Sequence, residues 1–457
     1  MKLYNTATRQ VDEFKPLGEV TNIYICGPTV YDYSHLGHAR TYTNSDILVR
    51  TLNWLNFKTK VVMNITDVGH LTSDADSGED KVAKKAKAEQ KTAWQIAEFY
   101  EADFWQMVKL LNILQPDLVT KATGYIKQMI DLIVRLEKKG FTYKTSDGVY
   151  FDTSKFSTYG QMARLDLANL KAGARVEANK EKKNITDFAL WKYTPAGVKL
   201  EMEWDSPWGK GFPGWHIECS AMSMVHLGET LDIHTGGVDH IPVHHTNEIA
   251  QSEAASGKPF VNFWFHSNIL EVDGQKMSKS LKNFWRLNDV VDKGFEPLAL
   301  RYLFLTAHYR TKMNFTEGSL ASGAEAYRKL KSMVASWQGV KGRTQLSEEK
   351  LSKVQEYSVQ FKSAIEDDLN LPQALAVVWA MVKSNIPETD KNELIADWDQ
   401  VLGLNLTEPV KKKSVPKDVQ TLINQRESLR KEGKYKEADK LREQIEAKGF
   451  KIEDKHV

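Results

Sequence analysis

Asn22-Ile23-Tyr24-Ile25-Cys26, then Gly27-Pro28-Thr29 and His35-Leu36-Gly37-His38, form the stretch on which the fold turns. The first five residues are an apolar, partly β-branched run of strand length, ended by Gly-Pro. Beyond the two histidines, Tyr42, Ile47, Leu48, Leu52 and Leu55 make a helical stripe, and Thr59–Ile65 reads as strand again. Strand, turn, helix and strand in this order predict the start of a βαβ unit with a parallel sheet. Ligands of such sheets bind beyond the carboxyl ends of the strands, which is where Cys26 and Thr66 fall.

Far down the chain stands Lys276-Met277-Ser278-Lys279-Ser280, in a loop-like context after Ile269-Leu270-Glu271-Val272-Asp273-Gly274. The two segments offer two imidazoles and two ammonium groups to a triphosphate, without any phosphate-cradling glycine loop. Alone, the first also fits other nucleotidyl-transferring enzymes and the second fits a solvated basic loop. Their joint occurrence in this order argues against chance.

The chain has 457 residues, 41% apolar and 27% charged, which is enough for several domains and a large core. No apolar run reaches membrane-spanning length, and Met1-Lys2-Leu3-Tyr4-Asn5 leads into no signal-peptide core, so a cytoplasmic location is expected. Net charge is +2, which excludes an indiscriminate polyanion binder, yet residues 411–457 hold 14 Lys+Arg against 9 Asp+Glu. A basic tail is compatible with nucleic acid and equally with a solvated helical surface.

An α/β fold is expected: a Rossmann-like parallel-sheet catalytic domain with an insertion, then an α-helical bundle and a small helical tail. Its halves are read at 1–115 and 206–270, around a connective insertion at 116–205. Residues 271–315 carry the lysine loop, 316–408 the bundle and 409–457 the tail. Helical patterns cover 85–114 and 122–139, Gly148–Asp152 is strand-like, and Leu231-Asp232-Ile233-His234 and Phe263-Trp264-Phe265-His266 read as returning strands. Phe361, Ile365, Leu369, Ala374, Val377, Trp379 and Val382 form bundle-like stripes. The tail's two amphipathic helices carry Leu422, Ile423 and Leu429, then Tyr435, Ala438, Leu441 and Ile445.

The only cysteines, Cys26 and Cys219, exclude a disulfide framework. Six of the twelve histidines lie between 216 and 245, and His244 and Glu248 are spaced i, i+4, so a helix would present both from one face. Two thiolates, an imidazole and a carboxylate would suit zinc better than magnesium or calcium. The spacing by itself matches no zinc finger, and buried cysteines beside a polar helix start remain the plain alternative. Asp74-Ala75-Asp76-Ser77-Gly78-Glu79-Asp80 has its glycine out of register for an EF-hand and reads as a solvated loop.

The His35–His38 and Lys276–Ser280 pair resembles the signature of class I aminoacyl-tRNA synthetases. Tyr24–Asp32, Gly214-Trp215-His216-Ile217-Glu218-Cys219-Ser220-Ala221-Met222 and His244-His245-Thr246-Asn247-Glu248-Ile249-Ala250-Gln251-Ser252 are similar to cysteinyl-tRNA synthetases in particular. The resemblance is dense from about 20 to 315 and thin beyond. It implies a bound zinc ion held by Cys26, Cys219, His244 and Glu248, with the substrate's thiolate completing the coordination. It implies an amino-acid pocket shaped by Gly27, Thr29, Thr66, Trp215 and His234, although core packing is the alternative for Trp215. His35 and His38 would lie against the ATP phosphates. Lys276 and above all Lys279 would neutralise the leaving pyrophosphate, and Gly237 and Asp239 would meet the ribose. The implied partners are cysteine, ATP with Mg2+, and tRNA(Cys), with no membrane, and the chain is expected to be a monomer. Lys282 stands where the family has glycine, and the tail stops at Ile452-Glu453-Asp454-Lys455-His456-Val457, short of the family's basic, aromatic ending. A cysteine ligase acting on a small-molecule amine, and a catalytically silent paralogue that binds RNA or senses cysteine, are the rival readings.

Overall fold

The computed structural model describes residues 1–69, 81–166, 180–278, 281, 283–337, 346–409 and 417–447. The acidic stretch at 74–80, Lys279 and Lys282 lie outside the described residues. The chain divides into two units, Met1–Thr407 and Glu408–Val457. Among the described residues no helix is long and apolar enough to cross a membrane.

Five parallel strands centre the first unit, in the spatial order Val261–Ser267, Leu231–Gly237, Val20–Ile25, Lys58–Ile65, Leu118–Lys121. From Val20–Ile25 the sheet grows in one direction and then, through Leu231–Gly237, in the other. The switch point therefore lies where Ile25 and Gly237 end, the usual site of a ligand crevice. Cys26 is joined there to the neighbouring strand, its N–H donating to Thr235 O at 3.1 Å.

Leu231–Gly237 is buried throughout although it contains Asp232, His234 and Thr235. Each polar group is answered: Asp232 accepts from the N–H groups of Leu17 (2.6 Å) and Asn22 (2.8 Å), and Thr235 Oγ1 accepts from Ser45 Oγ (3.0 Å). A buried polar group must be paired, and here the pairing joins the strand to its neighbours. Ser45 lies on the helix Leu36–Trp54, whose Asn44 also donates to Ser267 Oγ at 2.6 Å. Of the predicted stripe, Tyr42, Ile47, Leu48 and Leu52 are buried on that helix, and Leu55 is its half-buried C-cap.

The insertion is a four-stranded antiparallel sheet of Thr142–Lys144, Gly148–Phe151, Phe188–Tyr193 and Gly211–Pro213. Its outline differs from the sequence reading at both ends. Leu118–Lys121 is the edge strand of the central sheet, paired with Val62–Ile65, and Gly211–Pro213 closes the insertion's sheet. Both strands are too short to announce themselves by alternation, so only long-range pairing assigns them.

Helices Glu317–Trp337, Glu348–Glu366, Leu371–Lys383 and Glu388–Leu402 follow, with Phe361, Ile365, Ala374, Val377 and Val382 buried. In the second unit, Lys417–Lys431 and Tyr435–Ala447 pack together as a helical hairpin turning at Gly433, whose φ is 75°. Ala438 and Ile445 are buried as expected, but Tyr435 is 61% exposed. It opens its helix, where one edge has no neighbouring turn to cover it.

Candidate active site

His35 is the N-cap of Leu36–Trp54, and the two signature histidines cap each other. The His38 N–H donates to His35 Nδ1 at 3.2 Å and the His35 N–H donates to His38 Nδ1 at 3.4 Å. Two imidazoles thus occupy the places that a hydroxyl and a carboxylate take in an ordinary capping box. Their rings stack with centroids 3.7 Å apart. Because both Nδ1 atoms accept, each neutral ring carries its proton on Nε2 and offers an N–H donor there. Gly37 makes the stacking possible: a Cβ at that position would lie 2.8 Å from His35 Cε1. Burial lowers the His35 pKa against an opposing pull from Asp239. His38 is the more exposed ring, and the hydration it loses against its neighbours, then the positive fields of His35 and His240, hold its pKa well below the usual value.

The lysine segment sits on a hairpin. Leu270–Val272 runs antiparallel to Gln275–Lys276 and parallel to Met313–Phe315, turning at Asp273 (φ 50°) and Gly274 (φ 73°). Lys276 is exposed. The Ser278 N–H donates to Asn283 Oδ1 at 2.8 Å, and the chain then returns to the signature helix. There Trp285 O accepts from the Leu36 N–H at 2.9 Å, and the Phe284 ring meets His35 edge-on at 5.6 Å. The two signatures are therefore neighbours in space.

A buried ligand cluster lies at the switch point. Cys26 Sγ, Cys219 Sγ and one nitrogen of His244 fall within 4.8 Å of one another, as do two overlapping groups, Cys26–His240–His245 and His234–His245–Glu248. His244 Nε2 is 3.0 Å from Glu248 Oε1, although the two are not aligned as a hydrogen bond. The i, i+4 relation is realised differently from the expectation: Ile241–His245 is a π-helical turn, and the α-helix Thr246–Ser256 begins after it. The π turn brings His240, His244 and His245 all against the cluster, as such bulges often do at functional sites.

The donor set of this cluster could hold a cation. His244 Nε2, His245 Nε2 and Glu248 Oε1 are buried with no hydrogen-bond partner among the described residues. Several orphaned lone-pair atoms, converging with two thiols, fit a soft divalent cation and no packing requirement. The thiols share one hydrogen bond, with Cys219 as donor, which lowers the Cys26 pKa and raises that of Cys219. Burial disfavours an ionised Glu248, yet His234 and His244 hold its pKa at about 2. Burial opposes a charged His244 too, but Glu248 and Cys26 lift it to about 10. Outer contacts orient two of these side chains: His216 Nδ1 meets His244 Nδ1 at 2.9 Å, and His234 Nε2 meets Glu248 Oε2 at 2.9 Å.

Other candidates gather around this cluster. Trp215 is half-buried with its ring 4.2 Å from that of His244, at the edge of the cluster. Thr66 is buried, pairs in backbone with Thr29, and donates from Oγ1 to Glu218 Oε2 at 2.9 Å. Gly27 passes so close to the next strand that a Cβ would lie 1.6 Å from Asn64 O. His234 is fully buried, stacked on Trp264, and reaches Glu248, so it fixes a carboxylate instead of facing open space. Gly237 ends its strand and Asp239 is exposed just beyond, near enough to act on His35.

The sequence reading missed His240, His245, Gly236 and the role of Glu218. A Cβ at Gly236 would lie 2.6 Å from the His245 ring, and the glycine pair at 236–237 was the available signal. His240 acts on both Cys26 and His38, so the cluster and the signature histidines lie within electrostatic reach of one another.

Residues 13–325 match the family model for the tRNA synthetases class I (C) catalytic domain. The chain is 46% identical to cysteine–tRNA ligase 1 of Burkholderia lata, over 99% of this chain and 95% of that protein. It is 43% identical to cysteine–tRNA ligase of Treponema denticola, over 99% and 98% respectively. Among solved structures, methionyl-tRNA synthetase of Mycobacterium tuberculosis with methionyl-adenylate superposes with a TM-score of 0.59 at 15% identity, covering 89% of this chain and 94% of that one, which is a likeness of fold. With its parallel sheet, paired signatures and near-complete coverage of these relatives, the chain belongs to the class I tRNA synthetases, in the cysteine–tRNA ligase family.

Proposed function

We propose that the chain is an ATP-dependent ligase that joins cysteine to the 3′ end of tRNA(Cys). The carboxylate of cysteine attacks the α-phosphorus of Mg-ATP, forming cysteinyl-adenylate and releasing pyrophosphate. A hydroxyl of the terminal adenosine then takes the cysteinyl group and AMP leaves. The Nε2–H donors of His35 and His38 meet the phosphates, and Lys276 and Lys279 balance charge on the departing pyrophosphate. Neither histidine needs to act as a base, since the nucleophile is already ionised, so positioning and charge stabilisation carry the step. Gly237 leaves room for the ribose, and Asp239 accepts from its hydroxyls.

Cys26, Cys219, His244 and Glu248 would hold a zinc ion, whose chemistry there is to bind the substrate's thiolate. A hydroxyl is a poorer ligand for that metal, so cysteine is separated from serine without an editing step. Thr29 and Thr66, the latter braced by Glu218, and Trp215 border the side-chain pocket, while Gly27 keeps the first strand against Asn64. His234 and His216 orient the ligands. The helical region at 316–408 and the basic tail at 409–457 are assigned to tRNA contact.

The observation that carries this reading is the buried Cys26–Cys219–His244 group beside Glu248, linked through the field of His240 to the stacked signature histidines. The test is cysteine-dependent pyrophosphate exchange and charging of tRNA by the purified chain, with serine as competitor and metal content measured. Cysteine charging with one zinc per chain is expected. In Cys219→Ser, bound zinc and the preference over serine should fall together. Exchange without charging of any tRNA would refute the assigned acceptor, and full selectivity in a zinc-depleted Cys219→Ser protein would refute the metal's role.

A further inference from the structure

Arg40 lies two residues beyond His38 on the signature helix and is 1% exposed. Among the described residues no carboxylate pairs with it. Its guanidinium instead binds four backbone carbonyls. Nη1 donates to Asn268 O (2.6 Å) and Ile269 O (3.2 Å), and Nη2 donates to His308 O (3.1 Å) and Thr311 O (2.8 Å). A guanidinium without a carboxylate is a costly thing to bury, and burial lowers its pKa to about 10. Packing alone would be served by an apolar side chain of similar volume.

The four carbonyls belong to two segments with one destination. Asn268 and Ile269 lead directly into Leu270–Val272, the first strand of the hairpin that presents Lys276. His308 and Thr311 lead into Met313–Phe315, the strand that pairs with it. The far end of the hairpin is tied to the same pair, the Gly274 N–H donating to Asn314 Oδ1 at 2.7 Å. The chain leaving the lysine segment is tied to the signature helix again through Leu36 and Trp285. The hairpin thus has its root fixed about one turn beyond the start of the helix, and the chain leaving it is fixed at the helix's first residue.

We propose that Arg40 is a positioning residue for the ATP step, holding the hairpin of Lys276 in register with the helix of His35 and His38. Only a planar fork reaches four carbonyls on two segments at once; an ammonium group has three donors on one atom. The inference rests on the adenylate-forming activity proposed above. Its effect falls on the lysines that meet the leaving group, and not on the cluster that selects cysteine.

The experiment is pyrophosphate exchange by zinc-loaded Arg40→Lys, with a double-mutant cycle against Lys276→Ala. Expected is a fall in kcat of about 10- to 100-fold, with the KM for cysteine and the zinc content at wild-type values. Lys276→Ala should cost much less in the Arg40→Lys background than in the wild type, because the lysine is already misplaced. Additive losses, an unchanged kcat, or a parallel rise in the KM for cysteine would each overturn the proposal. The exposed variant Asn314→Ala, which frees Gly274 without touching the core, keeps the idea testable if Arg40→Lys does not fold. It should show the same kcat-selective loss at smaller size, and wild-type kcat in it would overturn control by the hairpin. Absence of exchange in the wild-type chain would instead refute the activity itself.

Discussion

Gly37→Ala separates the local chemistry of the signature from the stability of the fold. An added Cβ would lie 2.8 Å from His35 Cε1 and 2.9 Å from its Nδ1. Carbon atoms in contact sit at about 3.5 Å, so the ring must retreat by about 0.7 Å. Nδ1 is the acceptor of the His38 N–H, and moving it forfeits that cap, at about 1 kcal/mol. Replacing glycine by alanine within a helix returns about 0.8–1 kcal/mol. The two nearly cancel, so unfolding free energy should stay within about 1 kcal/mol of the wild type. Catalysis has no such offset, because a displacement approaching 1 Å at a group that meets the phosphates costs up to about 100-fold. Expected is a fall of about 10- to 100-fold in the kcat for pyrophosphate exchange, with the KM for cysteine and bound zinc unchanged. A Gly37→Ala protein of wild-type stability that retained kcat within about twofold would show that the stacked pair does not need its geometry, and would refute the reasoning.

Two further outcomes follow from buried charge. Asp46, on the signature helix, binds Arg301 Nη2 at 2.6 Å and Arg50 Nε at 2.8 Å, and it accepts from the Leu114 N–H at 2.8 Å. Arg301 is fully buried, so Asp46→Ala removes the carboxylate bonded to it, leaving only the field of Asp399, and should cost about 3–5 kcal/mol in denaturant unfolding. The exposed pair Arg328–Glu325 is the control: Glu325→Ala should cost no more than about 1 kcal/mol, and equal losses in the two variants would contradict the argument. Secondly, both Nδ1 atoms accept backbone N–H groups, so His35 and His38 meet the phosphates as neutral rings, and their pKa values already lie below the usual 6.5. Binding of Mg-ATP should therefore take up no proton between about pH 7.5 and about pH 8.5, and affinity should be flat across that window. Calorimetry in buffers of different ionisation enthalpy should return one binding enthalpy; proton uptake there would show that the rings charge against the phosphates and would refute the assignment.

The four proposed ligands show how little of a site local spacing records. Cys26 and Cys219 were the only thiols, each in a chemically dense segment, and His244–Glu248 was a short-range pair. Nothing in their spacing brings a turn at 26 to a helix at 219, so the resemblance, and not periodicity, joined them. The crowding of His240 and His245 into the same cluster was hidden because a π turn has no signature in sequence pattern. Arg40 was hidden for a related reason, since its acceptors are backbone carbonyls, which no side-chain motif records.

The parallel α/β core, the order of strand, helix and strand that opens it, and the two signatures were legible along the chain. These depend on local periodicity and on residue types, which a chain displays without folding. Packing was needed to show that Leu118–Lys121 is the edge of the central sheet, that Gly211–Pro213 belongs to the insertion, and that His234 reaches Glu248. It alone joined the helix of His35 and His38 to the hairpin of Lys276 through one buried guanidinium. Such relations are pairings between segments far apart in the chain, chosen by which buried donors find which acceptors, and that choice exists only once the segments have packed.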